Sequence, residues 1–150
     1  ELVKITEASI DLVARFGIEP KVALLSHSNF GTSNTASAKK VREASELLRN
    51  KHPDLQLDGE MHVLSALNPM LRDTVYAQAN LQGRANVLVM PNLDSANIAM
   101  GLIRSLTDAL LIGPFITGFS KPAHIVIPSV SSRGIFNMTA LTVADIHAGR

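Results

Sequence analysis

Pro20-Lys21-Val22-Ala23-Leu24-Leu25-Ser26-His27-Ser28 decides the fold, because it is a short apolar run opened by a proline and closed by hydroxyl-bearing polar residues. A strand wetted on one face alternates apolar with polar side chains, so a run that is apolar throughout belongs to a sheet covered on both faces. Asn86-Val87-Leu88-Val89-Met90 repeats the pattern and is ended by Pro91. Ala109 to Gly113 (ALLIG) and Ala123 to Ile127 (AHIVI) read as two more strands, and Leu55 to Asp58 as a weaker one.

Helical periodicity fills the intervals. Ile5, Ala8, Leu12, Val13 and Phe16 predict a helix over residues 2–16, stopped by Gly17 and Pro20. A polar turn over residues 28–34 leads to a second helix from about Ala36, with Val41, Ala44, Leu47 and Leu48 inward and Lys39, Lys40, Arg42 and Arg49 solvated. A less regular helical stretch runs through Leu64, Leu67 and Leu71. Asp94 is expected to cap a helix carrying Ile98, Ala99, Leu102, Ile103 and Leu106, and a last helix spans about Arg133 to His147. Apolar strands alternating with helices indicate right-handed βαβ units, hence an α/β fold with a mostly parallel sheet. In the last helix Ile135, Phe136, Met138, Leu141, Val143, Ala144 and Ile146 leave only Thr139, Thr142 and Asp145 as a polar stripe. Such a helix needs cover on most sides, from more of the same chain or from a second subunit, so a homo-oligomer formed through it is expected.

Composition narrows the function. The 150 residues are 46% hydrophobic and 18% charged with a formal net charge of +1, a balance that gives no basic field for nucleic acid. Without cysteine there is no disulfide, thiolate metal site or thiol nucleophile, and the cytoplasm is the default expectation. No apolar run approaches the roughly 18 to 20 residues that span a bilayer, and Glu1-Leu2-Val3-Lys4 does not open a signal peptide, so no membrane partner is expected. The sequence starts without Met and in what reads as mid-helix, the look of a fragment of a larger protein.

Ligands of parallel sheets bind beyond the carboxyl ends of the strands, where this sequence places Ser26-His27-Ser28, Asp58-Gly59-Glu60, Pro91-Asn92, Gly113-Pro114 and Pro128-Ser129. Small residues, hydroxyls and helix amino ends there suit a phosphate or carboxylate, and they equally suit ordinary βα turns. The five histidines show no pair at helical metal-site spacing, so no metal ligands are assigned. Ser26, His27 and Asp58 do not read as a triad, because neighbours on a strand point to opposite faces. Neither the dinucleotide nor the nucleoside-triphosphate glycine motif is present.

These same segments carry a family resemblance. Residues 20–28 resemble the P-R/K-V-A-x-L-S-x-S segment of the phosphotransacetylase family, and Asp58-Gly59-Glu60-Met61 resembles its D-G-E-L/M. Ala85 to Leu93 is similar to its A-N-x-x-x-x-P-D/N-L, and Ile112-Gly113-Pro114 through Gly118 to Lys121-Pro122 is similar to its I-G-P and G-x-x-K-P. The resemblance implies a three-layer α/β/α fold of the isocitrate/isopropylmalate-dehydrogenase-like type, of which this chain is the C-terminal part.

Family members move an acetyl group between coenzyme A and phosphate, and carry S-R-G-x-x-x-x-D after the K-P motif. Counted without gaps from Lys121-Pro122, that serine falls on Ile127, the arginine on Pro128 and the aspartate on Gly134. None of these offers a donor, charge or base, while one lost oxyanion donor alone typically costs about 100- to 1,000-fold. No catalytic residue is therefore assigned. The run Ser131 to Leu141 is similar to the phosphotransacetylase-like C-terminal domain of bacterial hybrid NADP-dependent malic enzymes. That likeness implies a regulatory domain that binds acetyl-CoA or CoA and assembles subunits, with NADP and a divalent metal held elsewhere in the parent. Ser26, Ser28, Asn92, Asn97, Lys121, Ser129 and Arg133 are the candidate contacts for the acyl-CoA ligand. A divergent transferase using Ser129, Ser131 or Arg133 and a purely structural dimerisation module are the alternatives.

Overall fold

The computed structural model describes residues 1–128 and 130–147. Its elements run α1 (Leu2–Arg15), β1 (Lys21–Leu25), α2 (Ala36–Lys51), β2 (Gln56–Met61), α3 (Val63–Leu67), α4 (Pro69–Val75), β3 (Val87–Val89), α5 (Leu93–Leu106) and α6 (Ser132–His147). The chain forms two compact units, Glu1–Ala99 and the segment from Met100 onward.

In the first unit β1 is the centre of a parallel sheet of order β2-β1-β3, with Val22 opposite both Leu57 and Val87. The uninterrupted apolar run of β1 has the expected consequence. Val22 and Leu24 point to one face, where they pack with Val41, Ala44 and Leu48 of α2 and with Leu2, Val3, Ile10 and Val13 of α1. Ala23 and Leu25 point to the other, against Met61, Ala66, Leu81 and Ala85. Val22, Ala23 and Leu24 are fully buried. Each such leucine or valine contributes roughly 1.5–3 kcal/mol of burial.

Helix ends follow local chemistry. Gly17 at φ +70° donates its N–H to Ala14 O and ends α1, in a backbone conformation glycine adopts without strain. The Thr35 hydroxyl accepts from Ala38 N and starts α2. Asn68 caps α4 by accepting from Leu71 N, and Pro69 occupies its first turn.

The structure departs from the sequence reading in several places. The weak strand extends further, to Met61, so Asp58, Gly59 and Glu60 lie inside β2 rather than after it. The stretch around residues 62–75 is two short helices that bury Ser65, Ala66 and Arg72, while Leu64 and Leu71 are exposed. Leu47 faces solvent instead of the core. Asn92, not Asp94, caps α5, its Oδ1 accepting from Ser95 N at 2.9 Å. Residues 109–113 and 123–127 form no strand; Leu110, Ile112, Ile125 and Ile127 are exposed. An apolar run becomes a strand only when a neighbouring edge pairs its backbone and both faces are covered, and these two runs have neither.

In the second unit α6 begins one residue early, at Ser132, with the Ser131 hydroxyl accepting from Gly134 N. Met138 is buried, whereas Ile135, Phe136, Val143 and Ile146 are exposed. No helix among the described residues is long and apolar enough to cross a membrane.

Register between β1 and β2 slips once, where Leu24 faces Gly59 and Leu25 faces Met61, leaving Glu60 as the extra residue of a bulge. Bulges re-aim side chains. Here the bulge needs a residue without a Cβ, since a Cβ on Gly59 would lie 2.7 Å from Leu24 Cβ and 2.8 Å from Leu24 O, inside contact distance of backbone. We predict that Gly59→Ala lowers unfolding stability by about 1–3 kcal/mol, as overpacking does. A urea midpoint equal to that of the wild type would show that β2 can move aside.

Candidate functional site

The bulge at Gly59-Glu60 turns the Glu60 carboxylate toward the loop that follows β1, and the loop is built around it. Ser28 Oγ donates to Glu60 Oε1 at 2.6 Å and Gly31 N donates to the same oxygen at 3.0 Å. Arg42, in the second turn of α2, donates from Nε to Oε2 at 2.9 Å and from Nη2 to Oε1 at 2.7 Å. The same Nη2 donates to Ser33 O at 2.8 Å, Ser33 N donates to Ser28 Oγ at 3.0 Å, and Phe30 N donates to Glu60 O at 2.8 Å. Ser28, Gly31 and Arg42 thus converge on one carboxylate that is itself fully buried, and Phe30 is held by the same residue's carbonyl. Burial raises the Glu60 pKa, but Arg42, Ser28 and Gly31 N–H outweigh it and bring the carboxyl down to about 2. Arg42 was expected in solvent; its bidentate pairing is the reason it is not.

A second buried carboxylate fixes the neighbouring loop. Asp58 Oδ2 accepts from Leu81 N at 2.7 Å, and Arg49 approaches Oδ1 at 3.4 Å. Burial pushes the Asp58 carboxyl up, against the pull of the Leu81 N–H and Arg49. Buried Arg72 clamps the same loop by donating from Nη2 to Leu81 O and Gly83 O at 2.8 and 2.9 Å. Asn29 Oδ1 accepts from His62 N and Ser65 Oγ, tying the loop after β1 to α3.

The expected site residues divide accordingly. Ser26 and Ser28 come together, Ser28 N donating to Ser26 Oγ at 3.2 Å, but the Ser28 hydroxyl is engaged by Glu60 and sealed from solvent. Asn92 sits at the end of β3 and spends its carboxamide oxygen on capping α5. Asn97 lies exposed on α5. Lys121 and Arg133 are exposed in the second unit, and Ser129 lies outside the described residues. Ser26, His27 and Asp58 do not converge: His27 Nε2 pairs with Ser33 Oγ and Thr35 Oγ1, and Asp58 points to Leu81.

Two hollows open at this end of the first unit. The larger, about 800 Å3, lies between α1, α2 and the end of β3 and is bordered by Leu2, Leu47, Met90, Pro91 and Asn92. The smaller, about 230 Å3, is bordered by Phe30, Gly31, Arg42, Glu60 and Tyr76, with the Phe30 and Tyr76 rings stacked at 4.2 Å between centroids. The described residues contain no group of three His, Asp or Glu side chains that could hold a metal ion. Glu60, Arg42, Asp58 and Arg72 were missed as organisers by the sequence reading. A signal was available in the acidic pair of D-G-E inside an otherwise apolar strand segment, which has to find cationic partners.

Because Glu60 is held near 2 in the folded chain against an ordinary value of 4.5, its stabilising effect is present above about 4.5 and lost as pH falls through about 2. Asp58, shifted upward, acts in the opposite sense: its ionised form is disfavoured by folding, so it costs stability as pH rises through its folded pKa. We predict that the wild type loses stability between pH 5 and pH 2 and that Glu60→Gln, weaker at neutral pH, shows a shallower loss over that window in urea titrations. Parallel curves for the two proteins would contradict the assignment.

The model of the phosphate acetyl/butaryl transferase family matches residues 1–143 of this chain. Over 97% of its length the chain is 48% identical to the NAD-dependent malic enzyme of Rhizobium meliloti and, likewise over 97%, 48% identical to the NADP-dependent malic enzyme of Salmonella typhimurium. It spans only 19% of each of those proteins. With the phosphate acetyltransferase of Clostridium acetobutylicum it shares 36% identity over 88% of this chain and 40% of that one. The fold of the EutD phosphotransacetylase from Staphylococcus aureus superposes with a TM-score of 0.89 at 30% identity, covering 96% of this chain and 45% of that structure. Sequence motifs, sheet architecture and solved relatives agree, and the chain belongs to the phosphate acetyl/butaryl transferase family.

Proposed function

We propose that this chain is the acyl-CoA-binding regulatory and assembly part of a malic enzyme and that it does not itself transfer acyl groups. The observation that carries this reading is chemical. At the three places where acyl transfer to phosphate takes a hydroxyl, a guanidinium and a carboxylate, this chain has Ile127, Pro128 and Gly134. A transfer without oxyanion donors or a general base has no means to lower its barrier. The Ser131 hydroxyl, in the second unit, accepts from Gly134 N as a helix cap. The chain's 48% identity to two malic enzymes, against 34% to 42% to three phosphate acetyltransferases, supports the same parentage. Relatives called NAD-dependent and NADP-dependent match equally well, so the nicotinamide coenzyme is a property of another part of the parent.

Ligand binding is proposed at the carboxyl ends of β1 and β3, where Ser26 and Asn92 stand; the hollow of about 800 Å3 that Asn92 borders has the capacity of a small-molecule site. Ser28 contributes from behind, by holding the loop, rather than by touching the ligand. Assembly is proposed through the exposed apolar side chains of α6, Ile135, Phe136, Val143 and Ile146.

Calorimetric titration of the full-length protein with acetyl-CoA is expected to give saturable heat, and the same protein is expected to form no acetyl phosphate from acetyl-CoA and phosphate above background. Absence of heat at millimolar acetyl-CoA would overturn the sensing role. Acetyl phosphate formation that Arg133→Ala abolishes would instead make the protein a divergent transferase.

A further inference from the structure

We infer that Arg42 and Glu60 are positioning residues for ligand binding at the strand ends, acting through the loop of residues 26–33 and through α2; the inference rests on the acyl-CoA reading above. Neither side chain needs to touch the ligand. Glu60 is fully buried, and its two oxygens are taken by Ser28 Oγ, Gly31 N and the Arg42 fork. Arg42 in turn holds the Ser33 carbonyl at 2.8 Å. The pair thus sets the path of the chain from Ser26, whose Oγ accepts Ser28 N, to Ser33.

α2 extends this control to the other strand ends. Lys40 Nζ donates to Pro91 O at 2.6 Å, just past β3, and Arg49 reaches Asp58 on β2. Three cations on one helix therefore fix the loop after β1, the bulged strand β2 and the turn after β3. A helix tied in this way cannot shift along the sheet without displacing all three. Arginine at position 42 is required because only a planar fork meets both carboxylate oxygens and a carbonyl together; a lysine offers a point charge in their place.

The test compares acetyl-CoA affinity with thermal stability in the full-length protein. Glu60→Gln removes the charge and keeps the shape, and Arg42→Lys keeps the charge and removes the fork. Val22→Ala, a core variant that leaves every hydrogen bond of the network in place, supplies a comparison with similar loss of melting temperature. Each network variant is expected to weaken acetyl-CoA binding about tenfold or more at a temperature where it is fully folded, the scale on which charge-assisted hydrogen bonds act. Val22→Ala is expected to bind as the wild type does. The double variant Glu60→Gln, Arg42→Lys is expected to be no weaker than the poorer single, because both act through one contact. Wild-type affinity in Arg42→Lys despite a lowered melting temperature would reduce the pair to a purely structural role and overturn the inference, leaving acyl-CoA binding intact. Failure of the wild type to bind would instead remove the reading on which the inference stands.

Discussion

A carboxylate that has left water must be repaid by fixed donors, and the architecture of the first unit follows from where Glu60 finds them. Desolvating an ionised group costs several kcal/mol, and attraction to a cation offsets this only when the remaining lone pairs are also satisfied. Glu60 meets the condition with a guanidinium, a hydroxyl and a backbone N–H. None of those donors is close to it in sequence: Ser28 lies 32 residues away and Arg42 18. The ion pair therefore specifies geometry more than it adds stability. It forces a bulge in β2, requires Gly59 beside Leu24, and stitches the β1 loop to α2.

Much of this unit was legible in the sequence because hydrophobic periodicity is a local property. Val22 to Leu25 and Val87 to Val89 had to be strands covered on both faces, and Gly17 had to end a helix. What could not be read depended on partners distant in sequence. Arg42 looks like any solvated helix lysine or arginine until Glu60 arrives beside it. Leu47 looks inward by spacing, but Ala44, Ser45 and Leu48 are the residues of that turn that the fold buries. The runs at 109–113 and 123–127 have strand composition, and composition cannot supply the neighbouring edge that would pair them.

The candidate site shows the same division. Sequence reasoning brought Ser26, Ser28 and Asn92 to the strand ends, yet it treated their side chains as waiting for a ligand, whereas two of the three are already spent on the protein itself. Hydroxyls and carboxamides after strands serve loops and helix caps as readily as ligands, for the same reason: both present backbone-like donors and charge at short range. Family motifs persist here because they build the rim. Under the proposed function, that rim serves to recognise a ligand rather than to transform it.

Determining the crystal structure of the full-length protein with acetyl-CoA addresses that claim most directly. The account predicts intact acetyl-CoA bound at the carboxyl ends of β1 and β3, with the loop of residues 28–33 unmoved around Glu60. An empty rim, or CoA and acetyl phosphate in place of intact acetyl-CoA when phosphate is present, would contradict it.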